Sequence, residues 1–177
     1  MTRKKIGIFG SARSREESQE YRDAVEIGRI IGHAGYDLIC GGYGGLMEAV
    51  SRGCSEAGGE CIGVGLEHFR EQPNQYIGSF VKAATLGKRL DYFLARADLF
   101  LALPGGIGTV TEVMFAWDQA KTGQSEKAPI LLYGDGWEGL LQSLREGFII
   151  GEDAFGHIRV VTHIEELDSL LKVSLSR

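Results

Sequence analysis

Three glycine-rich segments follow apolar runs in this chain: Gly10-Ser11-Ala12-Arg13, Gly41-Gly42-Tyr43-Gly44-Gly45 and Pro104-Gly105-Gly106-Ile107-Gly108. Glycine has no Cβ, so backbone at such places can lie close to a ligand. A helix that begins at a glycine loop offers unpaired N–H groups and the positive end of its dipole. Residues Gly105 to Thr109 therefore suit a phosphate, with the Thr109 hydroxyl as a further donor. The same residues also suit tight turns, with Thr109 as a helix cap. Three such loops at the carboxyl ends of parallel strands favour a ligand crevice.

Two ionisable residues complete the chemistry. Arg89 lies near the start of a helical segment that feeds the apolar run Leu99–Leu103, and Glu112 lies in the first turn of the helix that leaves it. The feeding helix must run antiparallel to the strand, so its start is level with the strand's carboxyl end. Arg89 and Glu112 are thus expected at one crevice, as a cation and a carboxylate beside a phosphate cradle. A surface ion pair and a glutamate that complements the helix dipole fit the same positions. The dipole argument predicts that Glu112 is ionised. Other chemistries lack their motifs: neither GxGxxG, GxxxxGK[ST] nor GxSxG occurs. The histidines His33, His68, His157 and His163 have no metal-ligand spacing. No metal or cofactor is expected.

The positioning elements follow from apolar periodicity. Strands are expected at Lys5–Phe9, Tyr36–Cys40, Cys61–Gly65, Phe80–Ala83, Leu99–Leu103, Ile130–Tyr133 and Ile158–Val161. Helices are expected at Ser18–Ala34, Leu46–Ala57, Leu86–Ala97, Thr109–Lys121, Trp137–Glu146 and Glu165–Lys172. In the first helix Tyr21, Ala24, Val25, Gly28 and Ile31 share one face. Alternation of this kind, with continuously apolar strands, predicts an α/β fold: an open parallel sheet with helices on both faces.

The chain has 177 residues, which suits a single domain over 1–177. Glycine supplies 26 of them, about twice the usual share, and the excess sits in the loops already named. A net charge of −5 argues against a nucleic-acid partner, and no apolar run approaches the length of a bilayer span. Cys40, Cys54 and Cys61 form neither a paired framework nor a CxxC motif, and the start MTRKKIGIFG lacks a signal-peptide core. A cytoplasmic protein with a small-molecule partner is the expectation.

The run Pro104-Gly105-Gly106-Ile107-Gly108-Thr109-Val110-Thr111-Glu112 resembles the PGGxGTxxE motif of the Lonely Guy (LOG) family, cytokinin riboside 5′-monophosphate phosphoribohydrolases. Support comes from Gly10-Ser11, Gly41-Gly42, Gly45-Leu46-Met47, Arg89 and Ala97-Asp98. The resemblance implies a Rossmann-like single domain, a homodimer, and hydrolysis of a nucleoside 5′-monophosphate, such as AMP or N6-modified AMP, to free base and ribose 5-phosphate. It places the catalytic pair on Arg89 and Glu112. It places nucleotide binding on Gly10, Ser11, Gly41, Gly42, Gly45, Met47, Gly105, Gly106, Ile107, Gly108 and Thr109. The chain departs from the family pattern at Glu48, Leu90 and Thr111. Related Rossmann-like proteins bind molybdenum cofactor without hydrolysis, so a nucleotide-binding or cofactor-carrying role is the alternative.

Overall fold

The computed structural model describes residues 3–123 and 130–175. Its strands are β1 (Lys5–Phe9), β2 (Asp37–Cys40), β3 (Cys61–Leu66), β4 (Ser79–Ala83), β5 (Leu99–Ala102), β6 (Ile130–Tyr133) and β7 (Ile158–Val161). Its helices are α1 (Gln19–His33), α2 (Leu46–Glu56), α3 (Leu86–Arg96), α4 (Ile107–Lys121), α5 (Gly136–Gly147), α6 (Glu152–Phe155) and α7 (Ile164–Leu175). The strands form one sheet, ordered β4-β3-β2-β1-β5-β6-β7, and every pairing is parallel. Strands β1, β2, β5 and β6 are almost wholly buried, as continuously apolar parallel strands must be when both faces are covered. The edges carry charge instead, with Lys82 on β4 and Arg159 on β7, which discourages pairing with another sheet.

Two cores flank the sheet. One joins α1, α2 and α7 through residues such as Ile27, Ile31, Leu46, Val50 and Leu167. The other joins α3 to α6 through Phe93, Val113, Trp117, Trp137 and Phe155. The helix face read from the sequence of α1 is the buried one, extended by Ile27 and Gly32. Its contact with α2 is close because both helices place glycine there: a Cβ on Gly28 would overlap the Val50 carbonyl and stand 2.8 Å from Cys54 N.

Apart from small shifts at other element ends, the structure departs from the sequence expectation in two places. Helix α4 begins at Ile107 rather than Thr109, because Gly106 serves as its N-cap without any side-chain bond. The one-turn helix α6 was not expected, since four residues carry no readable period. Strand β4 joins the sheet with no helix between it and β3, as the sequence implied.

The sheet order places the switch point between β1 and β5, where the chain leaves toward opposite sides. In such sheets the crevice at the carboxyl ends of these strands is the natural ligand position. The loops after β1 and β5 are tied together there, with Ser11 N donating to Pro104 O at 3.1 Å.

Candidate active site

The β1 loop also anchors α2, through the Leu46 N–H donating to Ser11 O at 2.8 Å. Gly45 makes this possible: its φ is +66°, and a Cβ would come within 2.6 Å of Ala12 C. Gly10 is packed between Leu103 and Leu46, each 3.4 Å from its Cβ position. Gly42, with φ +79°, turns the chain out of β2. Asn74 holds that turn by donating its Nδ2 to Gly42 O and Tyr43 O, at 3.2 and 2.9 Å. Met47 is buried, and its sulfur lies 2.5 Å from the Cβ position of Gly41.

The β5 loop turns directly into α4. Val110 N donates to Gly106 O, so the N–H groups of Ile107, Gly108 and Thr109 precede the first helical bonds. Thr109 is buried, and its Cβ lies 2.5 Å from the Cβ position of Gly105, which only glycine tolerates. Ile107 is 83% exposed. Between the β1 and β5 loops lies a cleft of about 430 Å³, lined by Ser11, Ser14, Arg15, Ser18 and Glu20 together with Pro104, Gly105 and Gly106. Its hydroxyls and the Arg15 guanidinium favour an anion, while the Glu20 carboxylate opposes one at that wall. Sequence reasoning did not single out Ser14 or Arg15; their only signal was the polar run following Gly10.

Helix α3 starts at its Thr85 cap, whose hydroxyl accepts from Lys88 N at 3.2 Å. This start brings Arg89 to the carboxyl end of β3, where Arg89 Nε donates to Val64 O at 2.8 Å. Arg89 Nη1 then meets Glu112 Oε1 at 3.2 Å. The two side chains are 13% and 9% exposed, so the pair is shielded from bulk water. Gly41 leaves room for it, since a Cβ there would lie 2.6 Å from Arg89 Nη2. Burial pushes the Glu112 carboxyl up to about 7, against the opposing influence of Arg89. The ionised state expected from the helix dipole is therefore less favoured than position alone suggests, because loss of hydration outweighs the attraction of Arg89. A carboxyl in this range can hold or release a proton near neutrality.

Leu90 is buried and apolar, whereas Thr111 is exposed and bonds back to Ile107 O at 2.8 Å. Among the described residues no group of three or more His, Cys, Asp or Glu is arranged to hold a metal ion. No helix among them is long and apolar enough to cross a membrane.

Comparison with known proteins agrees with this architecture. Residues 3–124 match the model of the SLOG cluster4 family. A cytokinin riboside 5′-monophosphate phosphoribohydrolase LOG from Oryza sativa is 36% identical over 154 residues, covering 82% of this chain and 62% of the rice protein. The corresponding LOG3 protein of Arabidopsis thaliana is 32% identical over 156 residues, covering 82% of this chain and 72% of that one. In fold, the chain is similar to the molybdenum cofactor binding protein of Rippkaea orientalis, with a TM-score of 0.78, 21% identity and 98% coverage of both chains. The chain is thus a single Rossmann-like α/β domain that belongs to the SLOG cluster4 family and is a distant relative of the LOG phosphoribohydrolases.

Proposed function

We propose that this protein hydrolyses the N-glycosidic bond of nucleoside 5′-monophosphates, AMP or N6-modified AMP, releasing free base and ribose 5-phosphate. The observation that carries the reading is the buried Arg89–Glu112 pair beside the open N-terminus of α4. The phosphate is assigned to Gly105–Thr109, with Gly10 and Ser11 opposite and Gly41, Gly42, Gly45 and Met47 shaping the neighbouring wall. Binding there fixes the ribose, so that energy from a remote group serves the reacting centre. The C1′–N bond breaks with its electron pair leaving on the base, which takes a proton, and the water oxygen bonds to C1′. Glu112, as carboxylate, stabilises the positive charge developing on the ribose and accepts the water proton, which then passes to the departing base and restores the carboxylate. Arg89 holds that carboxylate in place and offsets charge on the departing base. A homodimer is part of the reading, supported by the resemblance and by the exposed apolar residues Leu86 and Ile107 near the site.

The test is incubation of the pure protein with AMP and N6-substituted analogues, with free base followed by chromatography. Glu112→Gln keeps the shape and removes the charge, and is expected to lower the rate by about 10²-fold or more. Full activity in that variant would refute the mechanism.

One observation favours binding without hydrolysis: Leu90 places a buried apolar side chain where LOG enzymes resembling this chain have a second cation beside the arginine. AMP bound without release of base, or a pterin-type cofactor bound in its place, would favour that second reading.

A further inference from the structure

Each connection between parallel strands must carry the chain from the carboxyl edge of the sheet back to its amino edge. A helix makes that return everywhere in the described sheet except between β3 and β4, where residues 67–78 do so without one. Backbone that lies outside regular structure needs partners from elsewhere. At the amino edge, Gly78 N donates to Cys61 O at 2.9 Å. At the carboxyl edge the partner is the turn after β2. Asn74 N donates to Gly42 O at 2.8 Å, and Asn74 Nδ2 donates to Gly42 O and Tyr43 O at 3.2 and 2.9 Å. Tyr43 returns the tie, its OH accepting from Leu66 N at 3.2 Å. Asn74 Oδ1 accepts from Tyr76 N at 3.1 Å, which shapes the crossover's own turn.

The clasped turn borders the buried ion pair. Gly42 is also held through its N–H, which donates to the buried Cys40 Sγ at 3.2 Å. Beside it, the Cβ position of Gly41 lies 2.6 Å from Arg89 Nη2. The other sides of the guanidinium are fixed by Val64 O at Nε and by Glu112 Oε1 at Nη1. One wall of Arg89 is therefore backbone whose place depends on Gly42. Two carbonyls on one turn call for a side chain with two hydrogens on one atom, which an amide has and a carboxylate of the same shape lacks.

We propose that Asn74 is a positioning residue for the Arg89–Glu112 pair, acting from the β3–β4 crossover through the Gly42 and Tyr43 carbonyls and the Gly41 backbone. Its effect on rate rests on the hydrolase reading; its effect on the pair does not. Without the clasp the turn relaxes, Arg89 gains room to leave the carboxylate, and the cradle at the start of α4, built from other elements, stays as it is.

The experiment has one arm for the pair and one for the rate. In Asn74→Ala, NMR of labelled glutamate should show the Glu112 carboxyl titrating on the order of half a pH unit higher than in wild type, because the charge that favours ionisation is further away. Gly28→Ala, which disturbs only the α1–α2 contact, should leave that titration unmoved. For release of base from AMP, kcat in Asn74→Ala should fall about fivefold or more, with KM changing less than about twofold. Asn74→Asp keeps the acceptor for Tyr76 N and so guards the fold, yet removes both donors; it should lose kcat as the alanine variant does. A Glu112 titration unchanged in Asn74→Ala, or moved as far by Gly28→Ala, would overturn the proposal. So would a loss confined to KM, or a wild-type rate in Asn74→Asp, which would reduce Asn74 to a shaper of its own turn. If wild type releases no base, the hydrolase reading falls while the titration arm still decides whether Asn74 sets the pair.

Discussion

Raising the pH from about 4 to about 8 is expected to destabilise the fold through Glu112 while increasing any activity that needs its carboxylate. The carboxyl is 9% exposed, and burial moves it from 4.5 to about 7, with Arg89 the charged group opposing the change. Between those values the folded protein holds a proton that the unfolded chain has released. Stability contributed by the protonated acid is therefore complete below about 4.5, declines as pH rises and is lost above about 7. At about 1.4 kcal/mol per tenfold in proton affinity, the loss is on the order of 3 kcal/mol. The proposed chemistry follows the opposite course, because the ionised fraction grows through the same window. Below neutrality kcat/KM should rise about tenfold per pH unit and then level.

Two measurements check this. Urea unfolding of wild type and Glu112→Gln across the range should give a difference in stability that grows with pH and flattens above neutrality, since the amide does not titrate. Carboxyl NMR of labelled glutamate should show one group titrating near 7, and Arg89→Gln should move it further up by removing the charge that favours ionisation. A pH-independent stability difference, or a Glu112 carboxyl titrating at its ordinary value, would show that the pocket is wetter than the structure implies. The pH argument would then fail.

Two glycines separate packing from site geometry. Gly28→Ala sets a Cβ against the Val50 carbonyl and 2.8 Å from Cys54 N, all backbone, so α1 and α2 must part. A fall in Tm on the order of 5–10 °C is expected, and an unchanged melt would contradict the close approach. Gly41→Ala instead meets the ends of two side chains, Arg89 Nη2 at 2.6 Å and Met47 Sδ at 2.5 Å, which can move. Its Tm should change by less than about 3 °C, while release of base from AMP falls about tenfold or more as Arg89 is displaced from Glu112. A variant that melts early yet retains full activity would reverse these assignments.

Local pattern accounts for what could be read from the sequence. Continuous apolar runs such as Leu99–Leu103 and Ile130–Tyr133 are buried on both faces, and burial of that kind marks parallel strands. That Arg89 and Glu112 meet also followed from connectivity, since a helix feeding a strand and the helix leaving it both begin or end at the same edge. The upward shift of the Glu112 carboxyl did not follow. Its place in the first turns of α4 pointed to the charged form, but the shield around it is assembled from α3, β3 and the β2 loop, which no local window contains. The start of α4 was misplaced by two residues for a related reason: Gly106 caps the helix with backbone alone, so no side chain announces it.

Gly41 shows how the same residue type can serve a different end. A glycine beside a crevice suggests close approach of a ligand, yet the space it leaves is occupied by Arg89 and Met47. Its smallness sets the position of a charged side chain and reaches any ligand through that charge.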